Sequence, residues 1–297
     1  MSQSVSISSK ALVLAKIKDY QQLAKMRLTF TVVLSAVFGF LIASSAGVAW
    51  TSLSALIAGG FLVVAASNGL NQIIEKDYDK LMVRTQNRPI AQGRMSVTEA
   101  LVFCILTGIS GVMILGLYLN ELSAWLGFAA LVSYSFIYTP LKRVSPIAVF
   151  VGAFPGAIPP LLGWAAATGE ISAVAIALFA IQFFWQFPHF WAIAWILDDD
   201  YKRAGFRLLP SKKGADRKTA VYMIWYILVL IPLSAMPYLL GATGKISLML
   251  SMAAGVWFLV EGIKLFKSCE TKDAKRLMFI SIIYNPLVLL LYLLDKV

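Results

Sequence analysis

The chain has 297 residues, of which 59% are hydrophobic and only 14% charged, and its mean hydropathy is +0.78. A water-soluble domain of this size needs more polar residues than these to cover its surface. The composition therefore excludes a soluble fold. A net charge of +11 would suggest nucleic-acid binding in a soluble protein. In a membrane protein it is better explained by topology, because basic residues retain loops on the cytoplasmic side, and we expect no nucleic-acid partner.

The first part of the chain has no apolar core of the kind found in signal peptides. Residues 1–9 are polar and serine-rich, and residues 11–27 mix apolar and basic positions as an interfacial helix does. We therefore expect residues 1–27 to form a cytoplasmic or interfacial segment. A mitochondrial transit peptide remains the alternative.

Nine apolar runs follow, and each is close to the length of about 20 residues that a transmembrane helix requires. This pattern predicts an all-α, polytopic membrane protein in which residues 28–297 form a single domain of nine transmembrane helices. The runs cover residues 28–46, 53–74, 97–118, 122–138, 147–166, 171–197, 219–237, 246–266 and 277–294.

The basic residues predict which side of the membrane each loop faces. With these nine spans, 24 of the 26 Lys and Arg residues fall on the side of the N-terminus, and only Lys245 and Lys296 fall on the other. We therefore expect the N-terminus and the two long loops, 75–96 and 198–218, in the cytoplasm and the C-terminus across the membrane. We favour the bacterial inner (plasma) membrane over the mitochondrial inner membrane.

The first long loop begins with a set of oxygen-bearing side chains. Asn71, Glu75 and Asp79 are spaced four residues apart, so on a helix they would form one stripe. Such a stripe suits Mg²⁺, which usually shares its ligands with phosphate oxygens. Asn71 lies within an apolar span, where an amide requires a partner. The alternative interpretation is a solvated loop of mixed charge.

Basic residues follow both acidic segments. Lys80, Arg84 and Arg88 come directly after the first, and Lys202 follows the second, which consists of Asp198, Asp199 and Asp200. Arg binds phosphate through paired hydrogen bonds, and adjacent carboxylates repel each other unless cations offset them. Together the two segments indicate a diphosphate site in which Mg²⁺ neutralises the leaving group.

His189 is the only histidine of the chain and lies among aromatic residues in the sixth apolar run. A histidine within a span is costly and is therefore a functional candidate, although a hydrogen-bonded core residue is the alternative. Eleven residues, or three helical turns, separate His189 from Asp200, so we expect the two side chains to face the same way.

Several motifs resemble a known family. The segment NQIIEKDYDKLMVRTQNRP, 71–89, is similar to the N-x-x-x-D-x-x-x-D signature of the UbiA superfamily of intramembrane prenyltransferases. WQFPHFWAIAWILDDDYKRAG, 185–205, with YTPLKR, 138–143, and AFPGAIPPLLGWAAATG, 153–169, resembles the branch of that family that farnesylates haem. The resemblance covers about residues 19–293 and implies a UbiA-type helical bundle. It also implies transfer of a farnesyl group from farnesyl diphosphate to a vinyl group of haem B, giving haem O and diphosphate for haem A and terminal-oxidase biogenesis.

The resemblance also implies roles for individual residues, with Mg²⁺ as cofactor and haem B as substrate. The implied catalytic residues are Asn71, Glu75, Asp79, Asp199 and Asp200, and the Mg²⁺ ligands are Asn71, Glu75, Asp79 and Asp200. The implied diphosphate-binding residues are Lys80, Arg84, Arg88, Lys142, Arg143 and Lys202, and those for haem are His189 and Trp185.

Three alternatives remain open from the sequence. A UbiA-type enzyme could prenylate an aromatic quinone precursor instead of haem. A transporter would carry polar residues at mid-bilayer depth in several spans, whereas the acids here cluster at cytoplasmic span ends. A haem-binding oxidase assembly factor would lack chemistry altogether. Expected partners are the two substrates, the lipid bilayer and, for passing on the product, haem A synthase or oxidase assembly proteins.

Overall fold

The computed structural model describes residues 9–45 and 47–297, and helices account for nearly all of this part of the chain. Apolar periodicity and the exclusion of water from a bilayer both favour helices, which satisfy their backbone hydrogen bonds internally. The helices are α1 (Ser9–Leu23), α2 (Met26–Ala43), α3 (Trp50–Asp79), α4 (Val97–Tyr118), α5 (Glu121–Val132), a π-helix (Ser133–Tyr138), α6 (Thr139–Leu141), α7 (Ala148–Thr168), α8 (Ala173–Ile196), α9 (Asp198–Arg203), α10 (Arg217–Leu233), α11 (Met236–Leu239), α12 (Lys245–Ser268) and α13 (Thr271–Leu294).

Nine helical segments in the described part of the chain are long and apolar enough to cross a membrane, which confirms the predicted number. Seven are single helices. The other two are composite: α5, the π-helix and α6 form one span, Glu121–Leu141, and α10 with α11 forms another, Arg217–Leu239. Large apolar side chains on the outside of the bundle, such as Leu117 at 74% and Trp50 at 72% exposed, provide the surface that lipid covers. The chain is a multi-pass membrane protein.

Three boundaries differ from the predicted ones, each for a local reason. Helix α3 extends five residues beyond the predicted end of its span, to Asp79, because Glu75 and Asp79 find cationic partners within the protein. The interfacial helix α1 ends before Lys25, which has a left-handed φ of 48° and starts α2 in a new direction. Helix α8 ends at Ile196, and the acidic segment forms the separate short helix α9.

Helices α2 and α7 pack closely against each other. Small residues allow this approach: a Cβ atom added to Gly163 would lie 1.9 Å from the carbonyl oxygen of Ala36. Pro160 has no N–H, so the carbonyl of Gly156, one turn earlier, lacks its helical donor. The side chain of Gln182 in α8 donates to that carbonyl at 2.7 Å. The proline-containing helix α7 is thus stabilised by a side chain from its neighbour.

Helix α1 is attached to the start of α4 and to the loop between α3 and α4. Lys16 and Tyr20 both contact the carboxylate of Glu99, at 2.8 Å each, and Arg94 pairs with Asp19 at 2.9 Å. Its outward positions are apolar and exposed, with Leu12 at 56% and Val13 at 59%. This arrangement is typical of a helix that lies along a membrane surface.

Candidate functional site

The last two turns of α3 carry three buried polar side chains on one face. Asn71, Glu75 and Asp79 are exposed by only 1%, 3% and 1%, although they lie at the end of a membrane span. The amide of Asn71 donates to Glu75 Oε2 at 2.9 Å. Buried carboxylates are costly unless they are paired, so their partners define the site.

The partner of Glu75 comes from the composite span. Lys142 Nζ lies 2.5 Å from Glu75 Oε1, and both side chains are at most 10% exposed. The preceding π-helix positions this segment: Thr139 accepts a hydrogen bond from Asn71 at 3.2 Å, and the ring of Tyr138 lies 4.9 Å below Lys142 Nζ. π-Helical turns are rare and often occur at functional sites.

The partner of Asp79 comes from the loop that follows it. Arg88 Nη1 lies 2.8 and 2.7 Å from the two carboxylate oxygens, and the hydroxyl of Thr85 donates to the backbone carbonyl of Asp79 at 3.0 Å. The loop therefore folds back over the end of α3. Of the basic residues predicted in this loop, Arg88 reaches the buried stripe.

Lys25 is a member of this group that the sequence analysis did not identify. From the hinge between α1 and α2, its ammonium donates to Asn71 Oδ1 at 3.1 Å. Burial lowers the pKa of Lys25 well below its ordinary value, and the nearby charges of Arg88 and Lys142 lower it further. The available signal was a lysine in a polar break between two helical patterns, which is too common to single out.

The structure places the second acidic segment against the first long loop. Asp200 accepts backbone hydrogen bonds from Val83 at 3.0 Å and Arg84 at 3.1 Å, so it fastens the loop that carries Arg88. Burial raises the pKa of Asp200, but these N–H groups and the charge of Arg203 outweigh it, and the net shift is downward. Asp200 is not brought to Glu75 and Asp79 as a third carboxylate.

The expected alignment of Asp200 with His189 is wrong, because the helix ends at Ile196 and the two residues lie on different helices. Asp199 is exposed, and Asp198 pairs with Lys202 at 2.6 Å on the surface. The second loop instead reaches the site through Phe206, whose ring stacks on Tyr78 at 5.7 Å and lies 6.0 Å from Lys142 Nζ.

The remaining predicted cations lie at the surface around the buried group. Lys80 pairs with the neighbouring Asp77 at 3.0 Å. Arg84 lies over the ring of Tyr201 at 6.0 Å, and Arg143 lies over the ring of Tyr78 at 4.3 Å. Arg84 and Arg143 are exposed, and stacking on an aromatic ring holds an exposed cation only weakly.

Three basic side chains, Lys25, Arg88 and Lys142, thus surround the two carboxylates of the buried stripe. The excess of positive charge suits an anion with several oxygens, such as a diphosphate. In the described residues, no group of three or more His, Cys, Asp or Glu side chains could hold a metal ion. An amide and two carboxylates are, however, the hard oxygen donors with which Mg²⁺ completes a shell of phosphate oxygens. The donor set therefore fits Mg²⁺ that arrives with a phosphate ligand.

His189 and Trp185 form a separate pair one turn apart on α8. Their rings are stacked, with centroids 4.9 Å apart and planes 15° apart. His189 Nδ1 lies 2.7 Å from the hydroxyl of Ser281 in α13, and Trp185 Nε1 donates to the Ser281 carbonyl at 2.7 Å. One residue of α13 thus holds both rings.

Residues 32–283 match the model of the UbiA prenyltransferase family. A protoheme IX farnesyltransferase from Cytophaga hutchinsonii is 47% identical over 283 residues, covering 95% of this chain and 99% of the relative. Another from Koribacter versatilis is 38% identical over 291 residues, with 94% of each chain covered.

Solved structures agree with this assignment at the level of the fold. A digeranylgeranylglyceryl phosphate synthase superposes with a TM-score of 0.80 at 21% identity, covering 95% of this chain and 98% of that one. A UbiA homologue from Archaeoglobus fulgidus bound to GPP and Mg²⁺ gives 0.72 at 16% identity, covering 92% and 99%. The predicted UbiA-type helical bundle is thereby confirmed. The chain belongs to the UbiA prenyltransferase family.

Proposed function

We propose that this prenyltransferase transfers a farnesyl group from farnesyl diphosphate to a vinyl group of haem B, releasing diphosphate and yielding haem O. The observation that carries the proposal is the buried stripe of α3 with its three cations, in a chain that is 47% identical to a protoheme IX farnesyltransferase over nearly its full length. The stripe accounts for the diphosphate. The sequence similarity accounts for the acceptor and the prenyl group.

The diphosphate would bind by an exchange of ion pairs. Glu75 and Asp79 now neutralise Lys142 and Arg88. The two carboxylates and the Asn71 amide would hold the Mg²⁺ of a magnesium diphosphate, and Lys142 and Arg88 would hold its phosphate oxygens. Each charge keeps an opposite partner throughout, so the exchange avoids the cost of an unpaired buried charge. Burial and the neighbouring cations lower the pKa of Lys25, and a bound anion beside it would favour its charged form.

The reaction requires the allylic C–O bond to break so that diphosphate leaves with the bonding electrons. Bound Mg²⁺ supplies Lewis-acid stabilisation of the developing negative charge. Lys142, Arg88 and Lys25 stabilise the same charge and hold the leaving group in place. The vinyl group attacks the farnesyl carbon. Water then adds to the resulting carbocation and releases one proton, which completes the hydroxyethylfarnesyl side chain.

The bundle interior protects such carbocations until the acceptor reacts. Aromatic rings line the cationic part of the site, among them Tyr138 and Phe206 near Lys142. Their negative faces stabilise nearby positive charge, and their apolar edges exclude water.

We also infer the membrane in which the protein resides and its orientation in that membrane. Residues 28–297 act as one domain in a bacterial inner membrane, with the stripe and both long loops at the cytoplasmic face and residue 297 across the membrane. The distribution of 24 of the 26 basic residues supports this orientation. Labelling of Lys80→Cys and Lys245→Cys from either side, each in a chain in which Cys104 and Cys269 are replaced by Ser, tests it, and labelling of both from the same side would contradict it.

The deciding experiment is haem O formation by the purified protein in nanodiscs, supplied with haem B, farnesyl diphosphate and Mg²⁺. We expect product only when Mg²⁺ is present and a loss of at least about a hundredfold in Asp79→Ala, because removing an essential charge-stabilising group typically costs that much. Asp77→Ala is the matched control, since Asp77 is an exposed acid on the same helix end. Prenylation of a quinone precursor but not of haem would refute the assigned acceptor.

A further inference from the structure

The hydrogen bonds around Ser281 define which nitrogen of His189 carries the proton. The Ser281 hydroxyl donates its only proton to the Met278 carbonyl of its own helix at 2.5 Å. It therefore accepts, rather than donates, in its 2.7 Å contact with His189 Nδ1. A neutral imidazole that donates through Nδ1 has its lone pair on Nε2.

His189 Nε2 is available to a ligand. It makes no hydrogen bond to any residue that the structure describes. It is also absent from the set of unpaired polar atoms in these residues that are fully buried, so a ligand can reach it. The ring itself is half-buried. A nitrogen lone pair within an apolar span, aimed by a partner on its other nitrogen, is the arrangement that proteins use for metal-ligating histidines.

The neighbouring residues fix the direction of this lone pair. Trp185 stacks on one face of the imidazole at 15°, and its indole N–H is bound to the same Ser281, at the backbone carbonyl. The imidazole therefore cannot rotate about its bond to the backbone without losing both the stacking and the hydrogen bond. Because Ser281 lies on α13 and both rings lie on α8, the packing of these two helices sets the geometry.

We infer that His189 binds the iron of the acceptor porphyrin through Nε2 and that Ser281 is the positioning residue that fixes its tautomer and direction. This inference rests on the proposed haem substrate. It assigns the axial position to a protein nitrogen and leaves the vinyl edge of the porphyrin to be placed by other contacts. Trp185 keeps the ring plane fixed without contacting the iron.

The test compares haem B with metal-free protoporphyrin IX, which has the same shape and carboxylates but no iron. The full-length protein in nanodiscs is titrated with each, and the Soret band reports axial ligation. We expect the wild type to prefer haem by at least about tenfold. His189→Ala should abolish that preference without weakening the binding of the metal-free porphyrin. Added imidazole should restore the spectrum of ligated haem.

Ser281 is tested by three variants. Ser281→Ala should reduce the preference by roughly tenfold, as expected for loss of a hydrogen bond that orients a metal ligand. Ser281→Thr should retain it, because the threonine hydroxyl can make both hydrogen bonds. Ser251→Ala is the control, since Ser251 is equally buried and also bonds back to its own helix, but it lies on α12 and makes no hydrogen bond to His189 or Trp185. A Ser281→Ala variant that behaves like Ser251→Ala overturns the role of Ser281.

The two proposals fail separately. If His189→Ala weakens both porphyrins equally, or neither, the axial role is overturned even when the wild type makes haem O. If the wild type prefers haem but forms no haem O, the farnesyl transfer is refuted and the axial role stands. A wild type that binds neither porphyrin overturns both.

Discussion

Removing the carboxylate of Asp200 should loosen the loop between α3 and α4 without affecting Mg²⁺. In Asp200→Ala, the backbone N–H groups of Val83 and Arg84 lose their acceptors. Hydrogen bonds to a charged group contribute about 1.5–3 kcal/mol each. The lower value is appropriate near a surface, so two bonds give about 3 kcal/mol, or roughly a hundredfold in the opening equilibrium of the loop.

Hydrogen exchange measures this opening directly. The amide of Arg88, which donates to the Thr85 carbonyl at 3.0 Å, should exchange up to about a hundredfold faster in the variant. Arg88 pairs with Asp79 from this loop, so KM for farnesyl diphosphate should also rise. The Mg²⁺ concentration for half-maximal activity should stay unchanged. Asp199→Ala, at the exposed neighbouring position, should behave as wild type.

The reasoning is refuted by the opposite pattern. If Asp200→Ala raises the Mg²⁺ requirement tenfold or more while amide exchange in residues 83–88 is unchanged, Asp200 is a metal ligand after all. The hydrogen bonds to the loop would then be incidental to its function.

Three more outcomes can be measured. Lys142→Met should cost about 3–5 kcal/mol of stability, because it leaves Glu75 buried without its partner, and Lys142→Met with Glu75→Leu should recover much of that in thermal unfolding. Gly163→Ala should destabilise the bundle by about 1–3 kcal/mol, since its Cβ would meet the backbone of α2 at 1.9 Å; Gly60→Ala, with its nearest neighbour at 3.8 Å, should have little effect. The pKa of Asp200 is lowered in the folded protein, so its hydrogen bonds should stabilise the loop fully above about pH 4. This stabilisation should be lost as the pH falls through the lowered pKa. Protection of the loop amides, corrected for the pH dependence of intrinsic exchange, measures it.

Features that depend on the bilayer could be predicted from the sequence. A bilayer requires long apolar helices, so counting apolar runs was enough to find the nine candidate spans that the structure shows in residues 9–45 and 47–297. The spacing of Asn71, Glu75 and Asp79 was equally informative, since a stripe is a property of one helix and needs no knowledge of its neighbours.

Features that depend on contacts distant in sequence could not be predicted. A carboxylate that binds a metal and one that accepts backbone N–H groups look alike in sequence, and Asp200 is 116 residues from Arg84. Lys25 reaches Asn71 across 46 residues through a hinge whose left-handed backbone is not encoded by a glycine. The end of α8 at Ile196 likewise depends on the segment that follows being held elsewhere.

The π-helix of the composite span has a consequence for how this family can change. A π-helical turn contains one residue more than an α-helical turn, and its hydrogen-bond geometry is poorer. Deleting one residue from Ser133–Tyr138 would restore regular α-helix and stabilise the span locally. Because the extra residue is accommodated within that one turn, the same deletion would leave the helical segments on either side in nearly the same orientation, and Lys142 would still face Glu75. A one-residue change within this turn can therefore alter local stability while the cation stays in place, whereas the same change in the regular helix of the composite span would rotate Lys142 by about 100° away from Glu75.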